Sequence, residues 1–271
     1  MRKLIIGLLV LAGLAVVVDF TAAAYSEYRV SRALRAGADL TADPEVTIHG
    51  FPFLGQAMDG VYSNVDIRAR YMRPDIPGEI SVEANLRGAR LPFSELADGN
   101  VRQVPVDRVT AKMRVEPVEL GRLFKIPDLQ VHTRPADKSD GTGGSGGSGM
   151  TTAGALVLTG TLPSSFNLTD VYGKPLGGQN VKVKADLVLD GDQVKIVATG
   201  FYIEKSSDPN PSARIPDVDQ AMVLERFTHT IDTKELPFGM EPKRVYALGG
   251  QIVVEGEAEN TVIDLDRLQR P

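Results

Sequence analysis

Val181-Lys182-Val183-Lys184-Ala185-Asp186-Leu187-Val188-Leu189, followed by Asp190-Gly191-Asp192 and then Gln193–Tyr202, decides the fold class. Val181, Val183, Ala185, Leu187 and Leu189 fall on one face and Lys182, Lys184 and Asp186 on the other, the period-two pattern of a half-buried strand. Asp190-Gly191 between two such runs is a hairpin signal of the type I′ kind, which pairs Val181–Leu189 with Gln193–Tyr202. Working outward, the same alternation recurs. Val65, Ile67, Ala69 and Tyr71 oppose Asn64, Asp66, Arg68 and Arg70. Ile80, Val82, Ala84 and Leu86 oppose Ser81, Glu83, Asn85 and Arg87, and Val109, Ala111, Met113 and Val115 oppose Arg108, Thr110, Lys112 and Arg114. Ile252 and Val254 mark a last strand. Strands with one apolar and one wet face belong to antiparallel sheets. Helical pattern is confined to short pieces at Phe93–Leu96, Val118–Phe124 and Val218–Phe227, the last opened by Asp217 after Pro216.

The N-terminus reads differently. Met1-Arg2-Lys3 precedes an unbroken apolar run from Leu4 to Val18, the arrangement of an export signal with its positive end left in the cytoplasm. Ala22-Ala23-Ala24 offers the small residues a signal peptidase cuts after, yet Leu4–Ala24 is also long enough to span ~30 Å of hydrocarbon. Residues 1–24 are therefore a signal peptide or a membrane anchor, with Asp19 near the outer interface. Either places residues 25–271 outside the plasma membrane, in the periplasm or cell envelope, anchored or released near Ala24. Tyr25–Ala36 reads as a separate polar helix ended by Gly37. The Gly/Ser stretch within 137–149 reads as a flexible loop inside one β-rich domain spanning 25–271.

Composition excludes several functions. Net charge is −5 with no basic cluster, which removes nucleic acid as a partner because phosphate binding needs concentrated cations. Without cysteine there is no disulfide, thiolate metal site or lipidated N-terminal Cys. The three histidines, His49, His132 and His229, are scattered and offer no metal-ligand spacing. No Gly-X-Ser-X-Gly elbow occurs, and the Gly/Ser stretch lacks the strand and Lys-Ser/Thr of a phosphate loop. The sequence thus implies neither catalytic residues nor metal nor cofactor. What is unusual is apolar turn chemistry at Gly50-Phe51-Pro52-Phe53-Leu54 and Leu236-Pro237-Phe238-Gly239-Met240, which either plugs the ends of a core or lines the mouth of an apolar groove.

Those two turns, with Gly55-Gln56, Asp59-Gly60-Val61-Tyr62 and Gly249-Gly250, carry a resemblance over nearly the whole chain. They resemble an actinobacterial family of exported proteins, formerly of unknown function, that includes the mycobacterial lipomannan elongation factor. The resemblance implies an α+β, β-dominated fold similar to tubular lipid-binding (TULIP-like) proteins. In it a strongly curved antiparallel sheet with a few helices encloses an apolar groove. It also implies binding of phosphatidylinositol-type glycerophospholipid at the outer face of the plasma membrane, and support of mannan elongation on lipoglycans. No catalytic residues carry over, so the chain is expected not to be an enzyme. Candidate groove residues are Phe51, Phe53 and Leu54 at one turn, Phe238 and Met240 at the other, and Val65, Ile67, Val82, Val183 and Leu187 on strand faces. Arg68, Arg70, Arg73, Lys243 and Arg244 are candidates for the phosphate of a head group. The competing reading is a non-catalytic scaffold for a membrane mannosyltransferase, its apolar faces closed into a core.

Overall fold

The computed structural model describes residues 2–37, 40, 42–72, 78–99, 101–133, 150–151, 155–203, 215–233 and 241–264. The loop at 137–149, Arg73, Phe238 and Met240 lie outside them. Helix α1 (Arg2–Gly37) leads into β1 (Glu45–His49), α2 (Phe53–Asp59), β2 (Val61–Met72), β3 (Glu79–Arg90) and α3 (Phe93–Asp98). Then come β4 (Gln103–Val115), α4 (Pro117–Phe124), β5 (Gln130–Thr133), β6 (Met150–Thr151), β7 (Ala155–Thr161), β8 (Asn180–Asp190) and β9 (Gln193–Phe201). The chain continues through α5 (Asp217–Arg226), β10 (His229–Asp232), β11 (Pro242–Leu248) and β12 (Gln251–Asp264).

The strands form two antiparallel sheets. Seven strands in the order β1-β2-β3-β4-β12-β11-β6 curl into a half-barrel, and five in the order β10-β9-β8-β7-β5 make the second sheet. The expected hairpin is β8–β9, closed by Asp190 opposite Gln193. Its turn residues are Gly191 and Asp192, and only Gly191 takes a positive φ (56°), so the turn is not the type I′ form, which needs two. Burial along β8 follows the alternation, with Val181, Val183, Ala185 and Leu187 inside and Asp186 and Val188 outside.

Three neighbouring central strands of the half-barrel, β3, β4 and β12, are 12, 13 and 14 residues long, about 40–48 Å at ~3.4 Å per residue. That length lets each strand serve two apolar clusters in succession. One end of each (Ile80 and Val82; Met113 and Val115; Ile252 and Val254) packs against the five-stranded sheet and α4 and α5, around Leu120, Leu158, Val183 and Phe227. The other end (Ala84 and Leu86; Val106 and Val109; Ile263) packs under β1, β2, α2, α3 and the second half of α1.

Helix α1 is continuous where two separate segments were expected. Its only glycines are Gly7, Gly13 and the terminal Gly37, and no proline interrupts residues 2–37. Residues 4–18 and Phe20 are exposed, whereas Val30 and Leu34 are buried in the second cluster. It is long and apolar enough to cross a membrane, with mean hydropathy 2.6 over its most apolar 18-residue window.

Helix α2 was read from sequence as a proline-broken turn. Pro52 occupies its N-cap, Phe53 and Ala57 fall one turn apart and are both buried, and Gly60 (φ 65°) ends it in the left-handed conformation that glycine adopts without strain. The Gln56 side chain stitches the flanking strands together. Its Nε2 donates to the His49 carbonyl (3.2 Å) and its Oε1 accepts from the Ser63 amide (2.9 Å).

Candidate functional site

The cluster under α1 holds an apolar cavity of ≈ 50 Å³. Its floor is the inner face of the half-barrel, with Val46 and Ile48 of β1, Tyr62, Val65 and Ile67 of β2, and Leu86 and Ala89 of β3. Its roof is Val30 and Leu34 of α1 and Leu96 of α3, with Leu91, Val101, Val104 and Ile263 closing the sides. Alternation on the floor strands puts aliphatic carbons inward at every second residue, so the walls hold almost no polar atoms.

One polar group breaks that rule. Tyr62 is 2% exposed and its hydroxyl has no hydrogen-bond partner among the described residues. Burial pushes its pKa up to about 12, keeping it a neutral donor. Its ring lies 6.1 Å from that of Phe53. A phenol left unpaired indoors costs roughly 1–3 kcal/mol, and an acceptor brought in by a ligand would recover that.

The roof is held by polar clasps rather than by packing alone. The Arg29 guanidinium donates to the carbonyls of Ala97 (3.0 Å) and Asp98 at the end of α3. Ser31 Oγ donates to the Pro44 carbonyl (2.6 Å), and Glu27 Oε1 accepts from the Ile48 amide on edge strand β1 (2.8 Å). At 50 Å³ the cavity is a seam far smaller than an acyl chain.

The groove candidates divide between three settings. Val65 and Ile67 line the cavity. Phe53 is buried in the same cluster, Leu54 packs against it half-buried, and Phe51 is exposed beside them. Val82, Val183 and Leu187 lie in the cluster between the sheets. The head-group candidates are not gathered at the cavity. Arg68 and Arg70 alternate with Ile67 and Ala69 on β2 and so face outward, Arg68 pairing with Glu45 at 3.5 Å. Arg244 is bound to Glu255 (2.6 Å), and Lys243 sits 3.6 Å from Glu241. The outer face of β12 and its neighbours is thus a charge network. Against the upward pull of burial, hydrogen bonds from Lys112 and Tyr246 and the charges of Lys112 and Arg244 hold the Glu255 carboxyl below its ordinary value. Among the described residues no cluster of three metal-binding side chains occurs.

Sequence reasoning did not single out Tyr62, Val30, Leu34 or Leu96 as lining residues. Tyr62 stands at the start of β2 three residues before Val65, so strict alternation does not mark it as a neighbour of Val65 and Ile67. Val30 and Leu34 have helical i, i+4 spacing on one face, visible in retrospect.

A curled antiparallel sheet is thus roofed by helices around a small apolar cavity. A model of the LmeA-like phospholipid-binding family matches residues 17–257, and the chain belongs to that family. No curated protein and no solved structure matches it.

Proposed function

We propose that the chain is an exported, non-catalytic phospholipid-binding protein working at the outer face of the plasma membrane, in the periplasm or cell envelope. It holds the tails of a phosphatidylinositol-type glycerophospholipid in the seam between α1, α3 and the half-barrel, and so assists mannan elongation on membrane lipoglycans. The observation that carries this reading is the all-apolar cavity in a chain of a phospholipid-binding family. Burying an acyl chain yields ~0.8 kcal/mol per methylene, so a sixteen-carbon tail supplies on the order of 10 kcal/mol before costs. Residues 25–271 act as one domain, since β3, β4 and β12 run through both apolar clusters, and the stretch 137–149 is expected to be dispensable.

Mass spectrometry of lipid extracted from the purified domain tests it. Stoichiometric diacyl phospholipid is the expected result, with inositol phospholipid enriched over the host's membrane composition. A domain that folds and never carries lipid leaves the scaffold reading, a partner for a membrane mannosyltransferase, in its place.

A further inference from the structure

Asp19 is the one charged residue between Lys3 and Glu27, and it is 4% exposed. Its two carboxylate oxygens accept from the backbone amides of Phe53 (2.9 Å) and Leu54 (2.8 Å). These are the first two amides of α2, whose N-cap residue, Pro52, supplies no side-chain cap. Helix α1 therefore caps α2 in trans. One residue on, the exposed ring of Phe20 stacks on the exposed ring of Phe51, with centroids 6.1 Å apart and planes 25° apart. Residues 50–58 contain no charged side chain, and Met58 at the far end of α2 is 87% exposed. The exposed apolar surface of α1 from Leu4 to Val18 thus continues through Phe20 onto Phe51.

Depth along α1 says what covers this surface. At ~1.5 Å per residue, ~30 Å of hydrocarbon begun after Lys3 ends about 20 residues later, near Ala23. Asp19 and Phe20 then lie on the order of 5 Å inside the outer boundary, where an unpaired carboxylate is costly. The α2 amides pair it there, and in doing so fix α2 at the same depth. We propose that residues 51–58 are an interfacial docking element, seated among the head groups and upper acyl carbons of the outer leaflet, and that α1 is retained as the anchor with Asp19 as its latch. Removal of residues 1–24 would take away both the cap of α2 and the ring that Phe51 stacks on. The inference rests on the reading of α1 as a membrane span and is independent of whether the cavity carries lipid.

The sequence contains no tryptophan, so one introduced residue is a clean reporter. The full chain carrying Phe51→Trp or Met58→Trp is reconstituted in phosphatidylcholine vesicles, with or without lipid brominated at a shallow acyl position. The expected result is blue-shifted emission lost to brominated lipid and insensitive to iodide. Val188→Trp, exposed on the five-stranded sheet, should show the reverse. Adding Asp19→Ala should move the Phe51→Trp signal toward the Val188→Trp behaviour while the chain still floats with the vesicles. Reporters at 51 and 58 that follow the control in floating vesicles overturn the docking but leave the span standing, and an unmoved signal in Asp19→Ala overturns the latch. A chain that does not float refutes the span itself. In cells, an intact mass that includes residues 1–24 supports retention, and one beginning near Tyr25 overturns it.

Discussion

The two ends of the half-barrel share strands, face and alternation, yet one packs on a second sheet and the other lies under helices with a cavity between. Leu86 and Val82 stand four residues apart on β3 with the same orientation, and they belong to different interiors. Val82 meets a second sheet, whose buried residues join those of the first in one cluster. Leu86 meets helices. A single helix laid over a curled sheet touches it along a ridge, and the space beside the ridge becomes the cavity around Tyr62, Val65 and Ile67. What covers a sheet, rather than what the sheet is made of, decides whether its apolar face is core or container.

Large-to-small substitutions should separate the two ends most sharply. Leu158→Ala in the cluster between the sheets is expected to cost 2–5 kcal/mol, nearer the upper figure because its neighbours are fixed on both sides by sheets. Leu86→Ala enlarges a space that already exists and should fall near the lower figure. Denaturant midpoints of the two variants check this, and equal losses would mean that the two interiors are packed alike. Adding bulk should reverse the functional emphasis. Val183→Phe adds bulk to the cluster between the sheets and should cost about 1–3 kcal/mol with little effect on bound lipid per folded molecule. Val65→Phe or Ile67→Phe should fill the cavity, hold the melting temperature, and lower the lipid recovered. A melting temperature that collapses in Val65→Phe with no lipid in the wild type would make both ends core.

How far the sequence could be read follows the same division. The alternation of β2, β3, β4, β8 and β9, the β8–β9 hairpin and the short helices α3, α4 and α5 were legible, because period-two and capping signals are local. Which of two interiors a strand residue enters is set by partners far away in sequence, so Val82, Val183 and Leu187 were indistinguishable from Val65 and Ile67. Helix α2 was missed because Pro52 and two glycines in seven residues look like a turn, and its missing N-terminal cap comes from Asp19, some 34 positions upstream. The arginines of β2 are head-group candidates on charge, which does not say which face they occupy, and strand parity places Arg68 and Arg70 on the face away from the cavity.

The end between the sheets carries a further difference, on the face of β12 away from its cluster. Glu255, 5% exposed, accepts from Tyr246 (2.8 Å) and pairs with Lys112 (2.8 Å) and Arg244 (2.6 Å), tying β4, β12 and β11 together. Its pKa is depressed in the folded chain, so the stability it contributes is present above the unfolded value of 4.5 and is lost as pH falls through the folded one. Glu255→Gln should cost about 1–2 kcal/mol at neutral pH, toward the low end for bonds to a charged group because Lys112 and Arg244 remain solvated. The melting temperature of the wild type should then fall more steeply than that of the variant below pH 4.5. Parallel curves would show that Glu255 does not couple the sheet to pH.

The smallest effect is expected at Tyr62, and it has the opposite sign. In the empty cavity the Tyr62 hydroxyl is buried without a partner, so Tyr62→Phe removes a desolvated donor and keeps the ring against Phe53. The lipid-free protein should gain about 1 kcal/mol, the low end of what an unsatisfied buried group costs. If the ester or phosphate oxygens of a bound phospholipid accept from that hydroxyl, the same change should weaken lipid retention, and loaded protein should gain less stability than empty protein or lose some. Melting curves of both proteins before and after lipid extraction give the four values of the cycle. A gain of equal size in both states would show that the hydroxyl never meets the lipid, and the tails would then be held by the aliphatic walls alone. A loss in the empty protein would mean that the hydroxyl already has a partner there, and the cavity would have no polar handle to offer.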